Sequence, residues 1–263
     1  MYTSGVPCDI DAAVLSNTRL SDDYSVLALD AAEIAGLAHP GQFVMVKPSR
    51  TTDPLLRRPF SIFEILRDSN GHPLGLSILN KRIGVGTRLI YDAEPGARLS
   101  CLGPLGRPFE PVESPVQAWM VAGGVGLAPF LTLAEALARR GTPATLFYGA
   151  RRARDLYYIE AFERLGVRIV ASTEDGSLGA KGFITGPLND ALAALPGGRV
   201  KLYVCGPTPM MRAVATIADF HGQPCDVSLE QVMGCALGGC YSCVVLTRQV
   251  GAPPHFVRSC LEG

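Results

Sequence analysis

The sequence lacks an excess of charge of either sign. Its 263 residues include 24 Lys and Arg residues and 24 Asp and Glu residues, which gives a formal net charge of zero. Proteins that bind nucleic acid or an anionic membrane surface through their overall field carry a clear excess of basic residues. We therefore expect neither nucleic acid nor a membrane among the partners of this chain.

Long apolar segments and an export signal are also missing. The uncharged run at residues 118–134 is 17 residues long and contains three glycines and a proline, whereas a membrane-spanning helix needs about 20 apolar residues. This run predicts a buried strand, a glycine turn and a helix. The first residues have neither the basic region nor the apolar stretch of a secretory signal. With eight cysteines in the chain, these features predict a protein of the reducing cytoplasm.

Cysteines, by contrast, are clustered near the end of the chain. Cys235, Cys240 and Cys243 follow the pattern C-x4-C-x2-C, and Cys260 comes later. Plant-type 2Fe–2S clusters are bound by three cysteines with this spacing and a fourth further along. The sequence therefore predicts a cluster that accepts and donates one electron at a time.

Glycines within the cysteine motif support this interpretation, and three alternatives remain. Gly234, Gly238 and Gly239 would let backbone N–H groups approach sulfur closely and adopt positive φ. A zinc site is the first alternative, although zinc usually binds two C-x2-C pairs. Structural disulfides are the second, and they are typical of small secreted domains. Buried free cysteines are the third, although these do not normally cluster three in nine residues.

Residues 1–112 are predicted to form an antiparallel β-barrel. Short runs of β-type residues are separated by Gly, Pro, Asp and Asn, a spacing typical of such barrels. The runs cover residues 12–20, 24–30, 42–48, 58–65, 74–82 and 97–103. A helix is expected only around residues 85–92.

Two sites in the predicted barrel suggest a bound dinucleotide. Arg58 is followed by Pro59, Phe60 and Ser61, so a cation, a ring and a hydroxyl could contact a phosphate and a heterocycle. About 25 residues later, the turn at 84–87 begins the possible helix, and exposed N–H groups at a helix start favour a pyrophosphate. Each site alone is equally compatible with a solvated basic pair or an ordinary glycine turn. Together they favour one dinucleotide.

Residues 113–222 alternate between strand and helix patterns, which predicts a parallel sheet. Ligands of such sheets lie beyond the carboxyl ends of the strands. Two of these ends are rich in small residues, at positions 122–129 and 205–211. The first lacks the G-x-G-x-x-G fingerprint, and either end could equally serve strand–helix packing. The third predicted domain is the cluster-binding segment, residues 223–263.

The order of these motifs along the chain resembles that of the ferredoxin–NADP reductase superfamily. RPFS is followed by GVGT, AGGVGLAP, TEDGS, CGPTPM and finally the four cysteines. Within the superfamily, the chain is similar over its whole length to the electron-transfer subunits of NAD-dependent dihydroorotate dehydrogenases. The cysteine spacing and the preceding SLEQVMGC are the most specific parts of the resemblance.

The resemblance implies a role for each motif but no catalytic side chain. FAD would be bound by Arg58, Pro59, Phe60, Ser61, Leu79, Asn80, Lys81, Gly86 and Thr87. The nicotinamide nucleotide would be bound by Gly123, Gly124, Gly126, Cys205, Gly206 and Pro207. Cys235, Cys240, Cys243 and Cys260 would ligate the cluster.

The resemblance also implies an enzyme subunit of pyrimidine biosynthesis that works with a partner. An FMN-containing catalytic subunit would oxidise dihydroorotate, and electrons would reach NAD⁺ through this chain, in a heterotetramer. Another flavin and iron–sulfur reductase subunit is an alternative, such as that of an NADH-dependent ferredoxin:NADP oxidoreductase or a sulfhydrogenase. A zinc-stabilised, non-catalytic redox or nucleotide sensor is a more distant one.

The preference between NAD and NADP is a separate question. Arg151, Arg152 and Arg154 follow the second predicted strand of the nucleotide domain, where a 2′-phosphate could bind. They could equally form a solvated basic turn. The resemblance favours NAD.

Overall fold

The computed structural model describes residues 6–195, 197–229, 231–247 and 253–262. Contacts divide the chain into two compact units, Met1–Pro108 with Gln231–Gly263 and Phe109–Glu230. The division into 1–112, 113–222 and 223–263 stays a prediction. None of the described helices has the length and apolar character needed to cross a membrane.

The first unit contains the predicted antiparallel barrel, which is closed by six strands in the order β1-β2-β5-β4-β3-β6. The strands are β1 (Cys8–Arg19), β2 (Tyr24–Asp30), β3 (Phe43–Val46), β4 (Arg58–Arg67), β5 (Pro73–Lys81) and β6 (Arg98–Leu105). Two short helices belong to the same part of the chain, α1 (Ala32–Leu37) and α2 (Val85–Tyr91). The expected helix near residue 85 is confirmed, whereas α1 was not predicted.

Apolar residues from all six strands fill the barrel. Leu27, Leu29, Leu76 and Ile78 are completely buried and belong to one continuous core. Branched and leucine side chains suit this interior because they pack well on a pleated surface. The core fixes the register of β4 and β5, the strands that carry most of the predicted flavin contacts.

The second unit is a parallel sheet with helices between its strands, as predicted. The strands β7 (Gln117–Gly123), β8 (Ala144–Ala150), β9 (Arg168–Thr173), β10 (Ala180–Lys181), β11 (Val200–Cys205) and β12 (Cys225–Ser228) lie in the order β10-β9-β8-β7-β11-β12. The helices are α3 (Phe130–Arg139), α4 (Ile159–Arg164), α5 (Thr185–Ala193) and α6 (Thr208–Phe220). Residues 118–134 form β7, a 3₁₀ turn and the start of α3, so their interpretation as a buried strand, a turn and a helix is confirmed.

The C-terminal segment of the first unit contains an antiparallel hairpin of β13 (Val244–Thr247) and β14 (His255–Arg258), followed by α7 (Ser259–Glu262). A two-stranded hairpin is marginally stable on its own. This one is stabilised by packing of its segment on the barrel. Buried Met233, Ala236, Cys243 and Cys260 share a core with Met45, Leu102 and Leu105 of the barrel.

Candidate functional site

The two adjacent arginines at the start of β4 have different partners. Arg57 contacts the carboxylate of Asp9, with nitrogen–oxygen distances of 2.7 and 2.9 Å, and donates to Ser100 Oγ at 2.7 Å. Arg58 donates to the backbone carbonyls of Leu56 at 2.8 Å and Arg57 at 3.2 Å. Among the described ion pairs, none includes Arg58. Its positive charge is therefore the one available for an anionic ligand.

Gly86 keeps the first turn of α2 beside Arg58. A Cβ atom at Gly86 would lie 3.4 Å from Cγ and Nε of Arg58 and 3.3 Å from Cγ of Pro48. The first N–H groups of a helix have no partner within the helix. The Arg58 side chain and the start of α2 are therefore separated by a small space, which a side chain larger than that of glycine at position 86 would fill.

The Thr87 hydroxyl holds the turn that precedes α2. Its Oγ1 accepts N–H groups from Ile83 at 2.9 Å and from Gly84 at 3.0 Å. The predicted contact of Thr87 with a pyrophosphate stays a prediction.

The other end of α2 is held by Asn17, which no sequence motif marks. Its Nδ2 donates to three backbone carbonyls there, each at 2.9 Å.

Asn80 leaves a buried acceptor without a partner next to this turn. Its side chain is 0% exposed, and Nδ2 donates to the carbonyl of Thr87 at 3.1 Å and to Ser25 Oγ at 3.4 Å. Its Oδ1 has no hydrogen-bond partner among the described residues. Buried polar atoms are rarely left unpaired in native proteins, so this oxygen fits a site that a polar ligand completes.

The other predicted flavin contacts lie on the same two strands, β4 and β5. Phe60 is only 9% exposed and belongs to the barrel core, whereas Pro59 and Ser61 are half-buried. Leu79 is buried, and Lys81 places Nζ 5.3 Å from the ring centre of Tyr24. The Arg58 guanidinium, the space beside Gly86 and the Asn80 Oδ1 acceptor therefore lie in one part of the barrel. This combination fits a phosphate-bearing dinucleotide such as FAD.

The two glycine-rich turns of the parallel sheet lie side by side. Cys205 at the end of β11 pairs with Ala122 near the end of β7. A Cβ atom at Gly126 would collide with the backbone carbonyl of Cys205. One at Gly123 would lie 2.8 Å from Cδ of Pro207. The fold therefore brings the predicted nucleotide residues of both turns together.

Backbone conformation in these turns also requires glycine. Gly124 has φ +56° and Gly206 has φ +153°, values that side-chain-bearing residues rarely adopt. Cys205 is 3% exposed, as expected for a small residue at the end of a buried strand. These turns bring backbone N–H groups to the carboxyl edge of the sheet, where phosphate-bearing ligands bind.

The turn between β9 and β10 places a carboxylate next to the predicted basic turn after β8, because the N–H of Asp175 donates to the Arg151 carbonyl at 3.3 Å. Arg151, Arg152 and Arg154 are exposed. Ser177 donates its hydroxyl at 2.6 Å and its N–H at 2.9 Å to the Asp175 carboxylate. These bonds, with a smaller effect of the Arg152 charge, lower the pKa of Asp175 below its usual value. A charged carboxylate next to the basic turn opposes the binding of a 2′-phosphate.

The four cysteines of the C-terminal segment form two pairs. The Cys243 and Cys260 sulfur atoms are 3.1 Å apart and buried. The N–H of Cys235 donates to the Cys240 sulfur at 3.4 Å. Within the described part of the chain, no three thiol, imidazole or carboxylate groups surround a single point. Two pairs of thiols fit the two irons of a Cys₄ 2Fe–2S cluster.

The local environment separates the pKa values of the thiols. Hydrogen bonds from the Ser242 hydroxyl, followed by those from backbone groups, lower the pKa of Cys240 to about 6. Burial, followed by the adjacent thiol of Cys243, raises the pKa of Cys260 to about 11. The donors around Cys240 stabilise a thiolate, which is the form that binds iron.

The loop that carries the first three cysteines turns sharply. Ala236, Gly238 and Tyr241 all have positive φ, between 58° and 80°. A Cβ atom at Gly238 would collide with the Leu261 side chain, and one at Gly234 would lie 3.1 Å from the Cys240 sulfur. Two of the three predicted loop glycines therefore have a steric role. The missing Cβ atom of Gly239 has no neighbour within 4 Å in the described part of the chain.

Matches to known families cover the nucleotide and cysteine regions. The oxidoreductase NAD-binding domain matches residues 120–216. The iron–sulfur cluster binding domain of dihydroorotate dehydrogenase B matches residues 230–263. The second match contains all four predicted ligands.

Curated relatives match the chain over almost its whole length. The dihydroorotate dehydrogenase B (NAD⁺) electron transfer subunit of Desulforamulus reducens is 37% identical over 96% of this chain and 94% of the relative. The subunit of the same name from Geobacillus kaustophilus is 35% identical over 95% of this chain and 93% of the relative.

Solved structures share the fold. The NADH-dependent reduced ferredoxin–NADP oxidoreductase structure has a TM-score of 0.80 and 25% identity, and the match covers 100% of this chain and 88% of that chain. The ferredoxin reductase of carbazole 1,9a-dioxygenase has a TM-score of 0.70 and 23% identity, covering 84% and 69%.

Proposed function

Because the chain belongs to the family of dihydroorotate dehydrogenase B electron transfer subunits, we propose that it transfers electrons from a dihydroorotate-oxidising partner to NAD⁺. The observation that carries this proposal is the arrangement of four cysteines in two pairs on the same unit as the barrel. The predicted cofactors, FAD, a 2Fe–2S cluster and NAD, agree with the family. When bound, a flavin exchanges both hydride and single electrons, and the cluster exchanges single electrons.

The barrel residues would bind and orient FAD. Arg58 and the first N–H groups of α2 would neutralise the pyrophosphate, and Gly86 keeps the space between them open. The Oδ1 atom of Asn80 would accept a hydrogen bond that none of the described residues supplies. Pro59, Phe60, Ser61, Leu79, Lys81 and Thr87 complete the proposed binding residues.

The parallel sheet would bind the nicotinamide nucleotide at the carboxyl ends of β7 and β11. Gly123, Gly124 and Gly126 would present backbone N–H groups, opposite the turn that starts at Cys205. The carboxylate of Asp175 supports NAD over NADP because it would repel a 2′-phosphate. No side chain is assigned as an acid or base, since the transfer needs positioning rather than proton abstraction.

Packing on the barrel would hold the cluster ligands in place. The buried Cys243 and Cys260 share a core with Met45 and Leu102. This core holds the cysteine segment at a fixed place on the flavin-binding unit. A fixed position matters because electron transfer between redox groups falls off steeply with distance.

The partner would dock on the C-terminal segment. This segment exposes large apolar side chains, including the cross-strand pair Leu246 and Phe256, which are 59% and 73% exposed. The partner is the FMN-containing dihydroorotate dehydrogenase subunit, in a heterotetramer, and the product serves pyrimidine biosynthesis. We also propose the cytoplasm as its compartment, because four ligand thiols need reducing conditions.

Substitution of one proposed cluster ligand tests the assignment. Cys240→Ser in the complex purified without oxygen should lose most of its iron and sulfide, yet keep FAD and its reduction by NADH. The control is Cys8→Ser, which removes a thiol outside the motif and should keep the full iron content. Equal loss of FAD and iron in Cys240→Ser would contradict separate sites, and a full cluster in that variant would contradict the ligand set.

A further inference from the structure

Ser242 contacts a proposed cluster ligand without being a ligand itself. Its Oγ lies 3.1 Å from the Cys240 sulfur. The same oxygen accepts the N–H of Gly234 at 2.8 Å. An N–H group can only donate, so this bond uses a lone pair of the oxygen and leaves the hydroxyl proton available.

Iron ligation fixes the direction of the bond between Ser242 and Cys240. A cysteine that binds iron is a thiolate and has no proton to donate. The Ser242 hydroxyl must then be the donor. The N–H of Gly234 holds the oxygen in place while it donates.

Backbone N–H groups also donate hydrogen bonds to this pair of cysteines. The N–H of Cys235 donates to the Cys240 sulfur at 3.4 Å, and the N–H of Leu237 donates to the Cys235 sulfur at 3.3 Å. Almost any residue type supplies such a backbone donor. The Ser242 hydroxyl depends on the identity of one side chain, and so a single substitution can remove it.

We propose that Ser242 raises the reduction potential of the 2Fe–2S cluster by donating a hydrogen bond from its hydroxyl to the Cys240 sulfur. This inference rests on the proposed ligation by Cys240. Reduction adds one negative charge, part of which the ligand sulfurs carry, so a donor to sulfur stabilises the reduced form more than the oxidised form. Ser242 is thus a residue that tunes the potential, and it transfers no electron itself.

The test is an EPR-monitored redox titration of the cluster in the intact complex. Ser242→Ala should shift the potential to a more negative value by about 30–60 mV, which is roughly a three- to tenfold change in the one-electron equilibrium constant at 59 mV per tenfold. Ser242→Thr keeps the hydroxyl and should keep the wild-type potential. The iron–thiolate stretching bands in resonance Raman spectra should lose part of their sensitivity to D₂O in Ser242→Ala.

A matched control is Thr247→Val, which removes a hydroxyl from β13 in the same segment. The partners of Thr247 Oγ1 are the ring and the carbonyl of His255, at 3.3 and 3.2 Å. This substitution should leave both the potential and the Raman bands unchanged.

Two results would overturn the proposal. The first is an unchanged potential in a fully loaded Ser242→Ala variant, which would leave the cluster assignment standing. The second is loss of iron from Ser242→Ala with full retention in Ser242→Thr, which would give Ser242 a structural role only. A failure of the cluster assignment itself is detected separately, by Cys240→Ser.

Discussion

At the scale of single residues, the partners of a charged group decide its role more than its type does. Arg57 and Arg58 are adjacent, but among the residues that the structure describes only Arg57 has a carboxylate partner, that of Asp9. A guanidinium that already has an anionic partner gains little from a second one. Arg58 therefore carries the predicted contact with the FAD phosphates.

Replacement of Arg58 by alanine should weaken FAD binding. A hydrogen bond to a charged group contributes about 1.5–3 kcal/mol, so we expect the FAD dissociation constant of Arg58→Ala to rise about 10- to 100-fold. Flavin fluorescence titration of the apoprotein measures this constant.

The adjacent arginine supplies the control for this experiment. Arg57→Ala removes a partly exposed ion pair, which is worth about 1 kcal/mol or less of stability, and should leave FAD affinity within about twofold. Equal loss of affinity in both variants would contradict a specific role for Arg58.

The sequence predicted these residue types but could not predict their partners. Asp9 and Arg57 are 48 positions apart and meet only because the barrel closes. The same is true of Asn80, which donates to Ser25 Oγ although the two residues are 55 positions apart. The sequence places Ser242 between Cys240 and Cys243, but the cysteine spacing does not predict that its hydroxyl contacts the Cys240 sulfur.

At the scale of elements, close packing between turns explains which glycines are needed. Gly126 follows β7, and its missing Cβ atom faces the backbone carbonyl at the end of β11. Backbone atoms cannot rotate away as a flexible side chain can. A larger residue at this position must therefore separate the two turns that we propose bind the nicotinamide nucleotide.

Gly126→Ala should thus raise the KM for NADH about tenfold or more, because the bound nucleotide would be displaced. A displacement of about 1 Å can lower the rate of an enzyme reaction about 100-fold. FAD content should stay unchanged, since the barrel is not altered. Steady-state kinetics with an artificial electron acceptor measures the effect.

Gly186→Ala is the matched control, because Gly186 lies in α5 of the same unit and no described residue lies within 4 Å of its missing Cβ atom. Its KM for NADH should equal that of the wild type. A wild-type KM in Gly126→Ala would contradict the assignment of this turn.

Long, periodic elements were predictable from the sequence and short ones were not. All six barrel strands and the main strand–helix alternation were predicted, because their apolar runs are separated by turn residues. The six-residue helix α1 and the four-residue strand β12 are too short for a period to be visible. The hairpin β13–β14 was missed because each of its strands has only four residues.

At the scale of the whole molecule, the exposed apolar side chains of the C-terminal segment need a partner. Phe256 and Leu246 form a cross-strand pair that is open to solvent, and aromatic residues of this kind often dominate binding energy at interfaces.

Phe256→Asp should therefore raise the dissociation constant for the dihydroorotate-oxidising subunit about tenfold or more, since burial of a phenylalanine side chain contributes about 1.5–3 kcal/mol. Analytical ultracentrifugation of the two purified subunits measures the dissociation constant. The matched control is Phe183→Asp, since Phe183 is also 73% exposed but belongs to the other unit. Assembly of Phe256→Asp at wild-type affinity would contradict the proposed docking site.

The most direct test of the proposed function follows electrons through the native complex, purified without oxygen. Dihydroorotate is added first, the flavin and iron–sulfur absorbance is followed, and NAD⁺ is added afterwards. We expect bleaching by dihydroorotate and then formation of NADH as the absorbance returns. Absorbance that does not respond to dihydroorotate, although NADH bleaches it, would contradict dihydroorotate as the source of electrons and would favour another partner for the same reductase.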